Sequence, residues 1–98
     1  MEIYTNSLME SLYYDASYAD ENFPCVVKLD DEAIHIEYVS DGNLTIYKGC
    51  SIGTGHYELK CPEVKGKATL HKFNTSEILE GSWIENQTRG MWRIHLIK

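Results

Sequence analysis

A glycine and a tryptophan recur two residues apart near the C-terminus, first as Gly81 and Trp83 and then as Gly90 and Trp92. If residues 86–87 form the tip of a hairpin, Trp83 lies opposite Gly90. In the same register, Gly81 lies opposite Trp92. Each indole then covers a glycine of the neighbouring strand, where the missing side chain leaves room for the ring. The pattern predicts antiparallel β-structure with one buried face, and it constrains architecture rather than chemistry.

Alternation of apolar and polar residues dominates the rest of the chain, and no long helical pattern interrupts it. Turn residues separate eight strand candidates, at about 12–18, 24–30, 32–39, 43–49, 54–60, 66–73, 77–85 and 88–97. Short turns favour an up-and-down order, and eight strands that close on themselves leave no exposed edge. We therefore predict a single all-β domain over residues 1–98, an eight-stranded antiparallel meander barrel. An open barrel and a two-sheet sandwich are the alternatives.

One face of each strand from residue 24 onward is apolar, and we assign this face to the interior. Its members are Val27, Leu29, Ile34, Ile36, Tyr38, Leu44, Ile46, Tyr57, Leu59, Ala68, Leu70, Leu79, Trp83, Trp92, Ile94 and Leu96. A two-residue turn at residues 41–42 would place Leu44 and Ile46 outside. A three-residue loop, with Gly42 left-handed, instead pairs Tyr38 with Leu44 and keeps both inside. The sequence therefore favours the three-residue loop.

The N-terminal segment is compatible with two conformations. Ser7 and Glu10 have the spacing of a capping box, and Leu8 and Leu12 would share one helical face. This pattern predicts a short helical turn before the first strand. An extended segment from about residue 10 is the alternative, and both remain open.

Acidic residues are concentrated in the first half of the chain. Residues 1–47 hold ten acids and one lysine, a net charge of −9, whereas residues 48–98 have a net charge of +3. A nucleic-acid polymer is disfavoured as a partner because the domain repels phosphate. An acidic face would instead attract a basic protein partner.

No apolar run is long enough to span a bilayer, and the first residues lack the basic start and apolar core of a secretory signal. We therefore expect a soluble, cytoplasmic protein that does not bind a membrane. The three cysteines, Cys25, Cys50 and Cys61, are an odd number without a C-x-x-C pair. Free thiols in a reducing compartment are the simplest interpretation.

The candidate metal ligands do not form a recognisable site. All four histidines, at positions 35, 56, 71 and 95, fall on the face opposite the apolar set. A zinc site built from Cys50, His56, Cys61 and His71 can be drawn, but its spacings match no known ligand pattern. We predict no metal site and no cofactor.

The sequence also contains no convergent catalytic set. Any cysteine could be placed beside a histidine, but nothing specifies a pair. The carboxylates Glu80 and Glu85 are assigned to the outward face or to turns, where solvation is their ordinary role. The glycine-rich segment at residues 49–55 matches neither phosphate-binding pattern. We predict no catalytic residue and favour a non-catalytic protein over an enzyme.

Four large aromatic residues share the inward face in this assignment: Tyr38, Tyr57, Trp83 and Trp92. An eight-stranded barrel is either filled by its own side chains or just wide enough for one small ligand. Rings with polar tips at a barrel mouth would offer stacking and a hydrogen bond. We therefore predict that these four residues bind a small organic ligand at the mouth, with simple filling of the core as the alternative.

The motif Leu79-x-Gly81-x-Trp83, followed by Gly90-x-Trp92-x-Ile94-x-Leu96, resembles the last hairpin of small bacterial lipocalin-like barrel proteins of uncharacterised function. True lipocalins are similar in having a Gly-x-Trp element, but theirs lies in the first strand, which has no tryptophan in this chain. The arrangement is also similar to barrel sensor domains of bacterial anti-phage effectors that bind cyclic nucleotides. The resemblance implies a lipocalin-like barrel over about residues 53–98.

Three functions follow from these observations. The first is non-catalytic binding of a small organic ligand at the barrel mouth. The second is a protein-interaction or inhibitor module that uses the acidic N-terminal half. The third, implied by the resemblance to the sensor domains, is a nucleotide-sensing barrel.

Overall fold

The computed structural model describes residues 1–98, which form one closed barrel of eight antiparallel strands in sequential order. The strands are β1 Glu2–Tyr13, β2 Ala19–Leu29, β3 Ala33–Ser40, β4 Asn43–Gly53, β5 His56–Cys61, β6 Gly66–His71, β7 Ile78–Glu85 and β8 Thr88–His95. A 3-10 turn, Pro62–Val64, joins β5 to β6. No helix of this chain has the length and hydropathy needed to span a bilayer. The predicted all-β meander barrel is confirmed.

The C-terminal hairpin has the predicted register, with Trp83 opposite Gly90 and Gly81 opposite Trp92. A Cβ atom built on Gly90 would lie 2.9 Å from the Trp83 ring and would collide with the carbonyl oxygen of Leu12 on β1. Glycine is needed at this position because β1, β7 and β8 approach one another closely.

The N-terminal segment is a strand, so the expected helical turn is wrong and the first strand candidate, residues 12–18, is misplaced. β1 pairs with β2 on one side and with β8 on the other, which closes the barrel. Two serines, Ser7 and Ser11, are buried on its inner face. The Ser7 hydroxyl donates to the Tyr4 carbonyl and accepts from the Ile97 amide, both at 3.1 Å. The alternation of apolar and polar residues does not identify β1 because polar residues occupy these inward positions.

The turn between β3 and β4 also differs from the prediction. Ser40 pairs with Asn43, so only two residues form the turn, and both have positive φ, 51° at Asp41 and 79° at Gly42. A two-residue turn with positive φ at both central residues matches the right-handed twist of the strands that it joins. The register it imposes places Leu44 outside, with Tyr47 inside. The three-residue loop is therefore wrong.

The core runs through the middle of the barrel and contains most of the predicted interior set. Its buried hydrophobic members are Met9, Cys25, Val27, Leu29, Ile34, Ile36, Tyr47, Tyr57, Leu59, Cys61, Ala68, Leu70, Leu79, Trp83, Trp92, Ile94 and Leu96. The two apolar residues expected inside but found outward are Leu44, which is exposed, and Ile46, which is partly exposed.

The two ends of the barrel differ in construction. The β1–β2, β3–β4, β5–β6 and β7–β8 hairpins lie at one end, which we call the hairpin end. The other three connections and both chain termini lie at the opposite end, which we call the terminal end. The hairpin end is where aromatic and acidic side chains converge.

Candidate ligand site at the hairpin end

A cleft of about 80 Å³ opens into the barrel at the hairpin end. Five aromatic rings and two carboxylates line it, and the lining contains no lysine or arginine. The lining residues are Met9, Ser11, Tyr13, Asp20, Phe23, Tyr38, Ser40, Trp83, Glu85 and Trp92. The cleft therefore combines apolar ring surface with negative charge.

Strand alternation brings these side chains together. Every second residue of a strand faces the same side, so β7 turns Trp83 and Glu85 into the barrel. β1 does the same with Ser11 and Tyr13, and β8 contributes Trp92. The cleft is thus built on hydrogen-bonded strands, which position side chains more rigidly than loops.

The aromatic rings pack against one another around Trp92. The Tyr47 ring meets it edge-on with the centroids 5.0 Å apart, and the Tyr38 ring meets it edge-on at 6.2 Å. The Trp83 ring stacks on it at 6.1 Å, and Tyr13 in turn meets Trp83 edge-on at 5.1 Å. These are the arrangements that aromatic quadrupoles favour. The rings therefore hold one another in place.

Glu85 is the central polar group of the cleft. Its Oε1 atom accepts hydrogen bonds from the Tyr47 hydroxyl at 2.6 Å and from the Tyr38 hydroxyl at 3.0 Å. The sequence assignment of Glu85 to an outward or turn position is wrong. Because Glu85 follows Trp83 by two residues, it shares the inward face of β7.

The two tyrosines remain hydrogen-bond donors over a wide pH range. Burial is the main cause that raises the pKa of Tyr38, and the Glu85 charge raises it further. Burial likewise raises the pKa of Tyr47, followed by its hydrogen bond to Glu85. Ionisation of either phenol would place a second negative charge beside the carboxylate in a poorly solvated site.

Space for the Tyr47 ring depends on a glycine of β6. A Cβ atom on Gly66 would collide with the Tyr47 hydroxyl and lie 3.0 Å from the ring atom Cε2. Tyr47 is completely buried, with 0% of its surface exposed. Gly66 thus allows the hydroxyl of Tyr47 to reach Glu85.

A second carboxylate lies at the rim of the cleft. The Tyr18 hydroxyl donates a 2.7 Å hydrogen bond to Oδ1 of Asp20, and the Tyr18 ring packs beside Tyr13 at 5.2 Å. Tyr18 is largely exposed. The cleft therefore has one carboxylate in its interior and one at its opening.

Three of the four predicted ligand residues come together, and the fourth does not. Tyr38, Trp83 and Trp92 all line the cleft. Tyr57 lies at the terminal end, where its hydroxyl donates to the carbonyl of Asp30 at 3.1 Å. Side chains alternate between the two faces of β7, and Trp83 was already assigned inward. The same alternation could therefore have placed Glu85 inside the barrel.

The histidines lie on the outer surface of the barrel. The rings of His56 and His71 pack together with centroids 4.3 Å apart, and His95 contacts Glu10 at 2.7 Å. His56 Nε2 is buried without a hydrogen-bond partner. No group of three or more histidine, cysteine, aspartate or glutamate side chains is arranged to hold a metal ion.

Comparison of the chain with protein-family models, with curated proteins and with solved structures gives no match. The closed eight-stranded barrel is the architecture that the lipocalin-like resemblance implied. Membership of a lipocalin-like family remains a prediction.

Proposed function

We propose that this protein binds a small organic cation, without catalysis, in the cleft at the hairpin end. The observation that carries the proposal is the position of Glu85, a carboxylate held among aromatic rings in a cleft that has no basic side chain. The ligand would place a positively charged ammonium head group in the cleft.

The chemistry of the lining favours a cation over other small molecules. Aromatic faces attract an ammonium group through their quadrupoles, and trimethylammonium groups are bound this way by aromatic cages. Glu85 and Asp20 would add direct charge attraction. A phosphate would meet two carboxylates and no lysine or arginine, so the lining favours a cation over a nucleotide.

The size of the cleft limits which part of a ligand enters. A cavity of about 80 Å³ is well below the roughly 300–1,000 Å³ typical of sites that enclose a whole drug-sized molecule. It suits a head group of a few heavy atoms, with the rest of the ligand outside the barrel mouth. Tyr13 and Tyr18 flank this opening and would contact the emerging part.

Binding rather than catalysis is proposed because no nucleophile is paired with a base in the cleft. The Tyr38 hydroxyl is engaged with Glu85, the hydroxyls of Ser11, Tyr13 and Ser40 are not hydrogen-bonded to a carboxylate, and no cysteine or histidine lines the cleft. A cytoplasmic location remains part of this proposal.

Tryptophan fluorescence tests the proposal directly, since both tryptophans of the chain line the cleft. The probes are choline and its neutral isostere, in which a tert-butyl group replaces the trimethylammonium group. We expect saturable changes with choline and none with the isostere. Equal responses to both probes, or a stronger response to cyclic AMP than to choline, would overturn the proposal.

Two variants locate the binding. Glu85→Gln and Asp20→Asn should each weaken choline binding about tenfold, the effect of losing one charge-assisted contact of about 1.5 kcal/mol. Asp20→Asn leaves the Tyr47–Glu85 hydrogen bond in place, so it reports on binding even if Glu85→Gln folds poorly. Glu80→Gln, an exposed acid on the same strand, is the matched control. Unchanged affinity in both cleft variants would contradict the assignment.

A further inference from the structure

Positive charge is concentrated in one row on the outer wall of the barrel. Lys28 on β2 is the cross-strand partner of His35, and His35 is the partner of Lys48 on β4. The row continues from Lys48 to Lys60 on β5 and from Lys60 to Lys67 on β6. It crosses five adjacent strands and holds four of the seven lysines of the chain. We call these five residues the lysine row.

The side chains of the lysine row point away from the core because side chains alternate between the two faces of a strand. Lys60, for example, lies between Leu59 and Cys61, which are each 1% exposed. Lys60 and its two partners in the row, Lys48 and Lys67, are all exposed. The row is therefore accessible to a partner from outside the barrel.

Like charges face each other directly in the row. Lys60 lies opposite Lys48 on one side and opposite Lys67 on the other, and like charges in cross-strand pairs are destabilising. None of the four lysines makes an ion pair, since the five ion pairs of the protein use histidines, arginines and Lys98. The repulsion is thus not offset by an acidic partner within the chain.

Elsewhere the same sheet places opposite charges across from each other. Arg93 on β8 lies between Glu10 on β1 and Glu80 on β7. Its Nε atom donates a 2.8 Å hydrogen bond to the Glu10 carboxylate. A solvated surface therefore does not require the arrangement found in the lysine row. Features that lower stability are common where a surface serves a function.

The shape of the row limits what can contact all of it. Neighbouring strands are about 4.8 Å apart, so the row is about 19 Å long, and it follows the curvature of five of the eight strands. A flat bilayer or a straight duplex can touch only part of such a convex surface. A flexible chain can follow the whole row, and about six extended residues span this length. A second copy of the protein cannot supply such a chain, because its acids lie on hydrogen-bonded strands and in short turns.

The surroundings of the row favour carboxylates over nucleic acid. Lysine binds carboxylates and phosphates alike as a point charge. Proteins that bind single-stranded nucleic acid also provide aromatic side chains on which the bases stack. The outward residues that flank the row on β3 to β6 include no aromatic side chain: Ala33, Glu37, Ile46, Cys50, Glu58 and Thr69. An acidic polypeptide does not need such stacking.

We propose that the lysine row binds an extended, acid-rich segment of another protein, which crosses the outer wall of β2 to β6 and places its carboxylates on the lysines. Each carboxylate would relieve the repulsion between neighbouring lysines and gain a charge-assisted contact. The net charge of −6 does not prevent this interaction, because exposed charges more than about 8 Å away are largely screened at physiological ionic strength. The interaction needs neither the cleft nor its ligand.

The probe is an end-blocked, fluorescently labelled peptide of eight glutamates, and its binding is followed by anisotropy. We expect saturable binding at low salt that weakens as salt is added, since salt screens exposed charges. A peptide of eight glutamines should not bind. Failure of the glutamate peptide to bind at low salt would overturn the proposal. Tighter binding of an oligothymidylate of equal charge would overturn it as well, in favour of nucleic acid.

Two charge-reversal variants separate the row from general charge attraction. Lys60→Glu should weaken binding of the glutamate peptide about tenfold or more, because its carboxylate would itself pair with Lys48 and Lys67. Lys72→Glu makes the same change in charge outside the row and is the matched control, with affinity expected within about twofold of the parent. Equal weakening by both variants would contradict the proposal.

Thermal unfolding of the same variants shows that the loss of binding does not come from a damaged fold. Lys60→Glu should raise the melting temperature above that of the parent and of Lys72→Glu, because it replaces two like-charge pairs with opposite-charge pairs. A lower melting temperature would contradict the repulsion on which the proposal depends.

Discussion

Tyr47 and Glu85 are 38 residues apart in sequence, and the hydroxyl of the first donates a 2.6 Å hydrogen bond to the carboxylate of the second. They belong to β4 and β7, which are not neighbours in the sheet. The contact therefore links two sides of the barrel through its interior. Because Tyr38 donates to the same oxygen, the cleft is held by a polar cluster as well as by aromatic packing.

We expect Tyr47→Phe to lower the free energy of unfolding by about 1.5–3 kcal/mol, the range for a hydrogen bond to a charged group. The change keeps the ring and removes only the donor to Glu85. Urea unfolding at neutral pH measures the loss. Tyr14→Phe, at a largely exposed tyrosine, is the control and should match the parent. A Tyr47→Phe protein as stable as the control would contradict the role given to the hydrogen bond.

Gly81→Val and Gly90→Val should each cost more than about 2 kcal/mol, because overpacking in a close-packed region displaces neighbouring groups. At Gly90 the new side chain meets the Trp83 ring and the backbone of β1, and at Gly81 it meets the backbone of β6 at Thr69. Gly53→Val is the control, since its Cβ would meet only His56 at 3.9 Å. Melting curves of the two variants that match that control would refute the strand packing.

The stability of the protein should fall as pH rises above about 10, the ordinary pKa of a tyrosine. The native state raises the pKa values of Tyr38 and Tyr47. The unfolded chain therefore releases these protons first, and ionisation favours unfolding. Absorbance titration should show these two phenols ionising last among the seven tyrosines. The Tyr38→Phe, Tyr47→Phe double variant should lose that late step, and its retention would contradict the assignment.

At low pH the folded state should lose the stabilisation that the ionised Glu10 side chain provides. Hydrogen bonds from Arg93 and then from His95 lower the pKa of Glu10 to about 2. A carboxyl with a lowered native pKa stabilises the fold above its unfolded pKa and loses this effect as pH falls toward the native value. We expect the difference in melting temperature between parent and Glu10→Gln to be full above about pH 4.5 and to vanish near pH 2. Arg93→Gln, which removes the main hydrogen-bond donor to Glu10, should reduce the difference between parent and Glu10→Gln proteins.

The last hairpin was predictable because its signal is steric. An indole needs a small residue opposite it, and the positions of Gly81 and Gly90 admit one register when the tip is placed at residues 86–87. The closed barrel followed from eight alternating segments with short connections. These features depend on local sequence and on the size of side chains.

The first strand and the β3–β4 turn were not predictable from the same signals. Ser7 and Ser11 are polar residues in buried positions, and the Ser7 hydroxyl accepts a hydrogen bond from the distant Ile97 amide. Leu44 is an apolar residue in an exposed position. Alternation of hydrophobicity fails wherever the inner face is polar or the outer face is apolar, and this chain has both.

The candidate site was only partly predictable because its polar member looks like a surface residue. Glu85 lies next to a turn, where a carboxylate is usually solvated. Only its position two residues after Trp83, on the same face of β7, shows that it points inward. The incorrect prediction of the β3–β4 turn placed Tyr47 on the outer face, so the sequence did not identify it as a residue of the interior. Tyr57 faces inward as expected, but the alternation of side chains along a strand does not specify which end of the barrel a residue occupies.

The pairing of β1 with β8 has a consequence for how the chain reaches its native state. Leu8 pairs with His95, so the contact that closes the sheet joins two strands that are 87 residues apart in sequence. Contacts of such long sequence separation form slowly, because the intervening chain must first be ordered. While the ribosome is still producing β8, the seven earlier strands have two open edges, and during this interval the nascent protein is most exposed to misassociation.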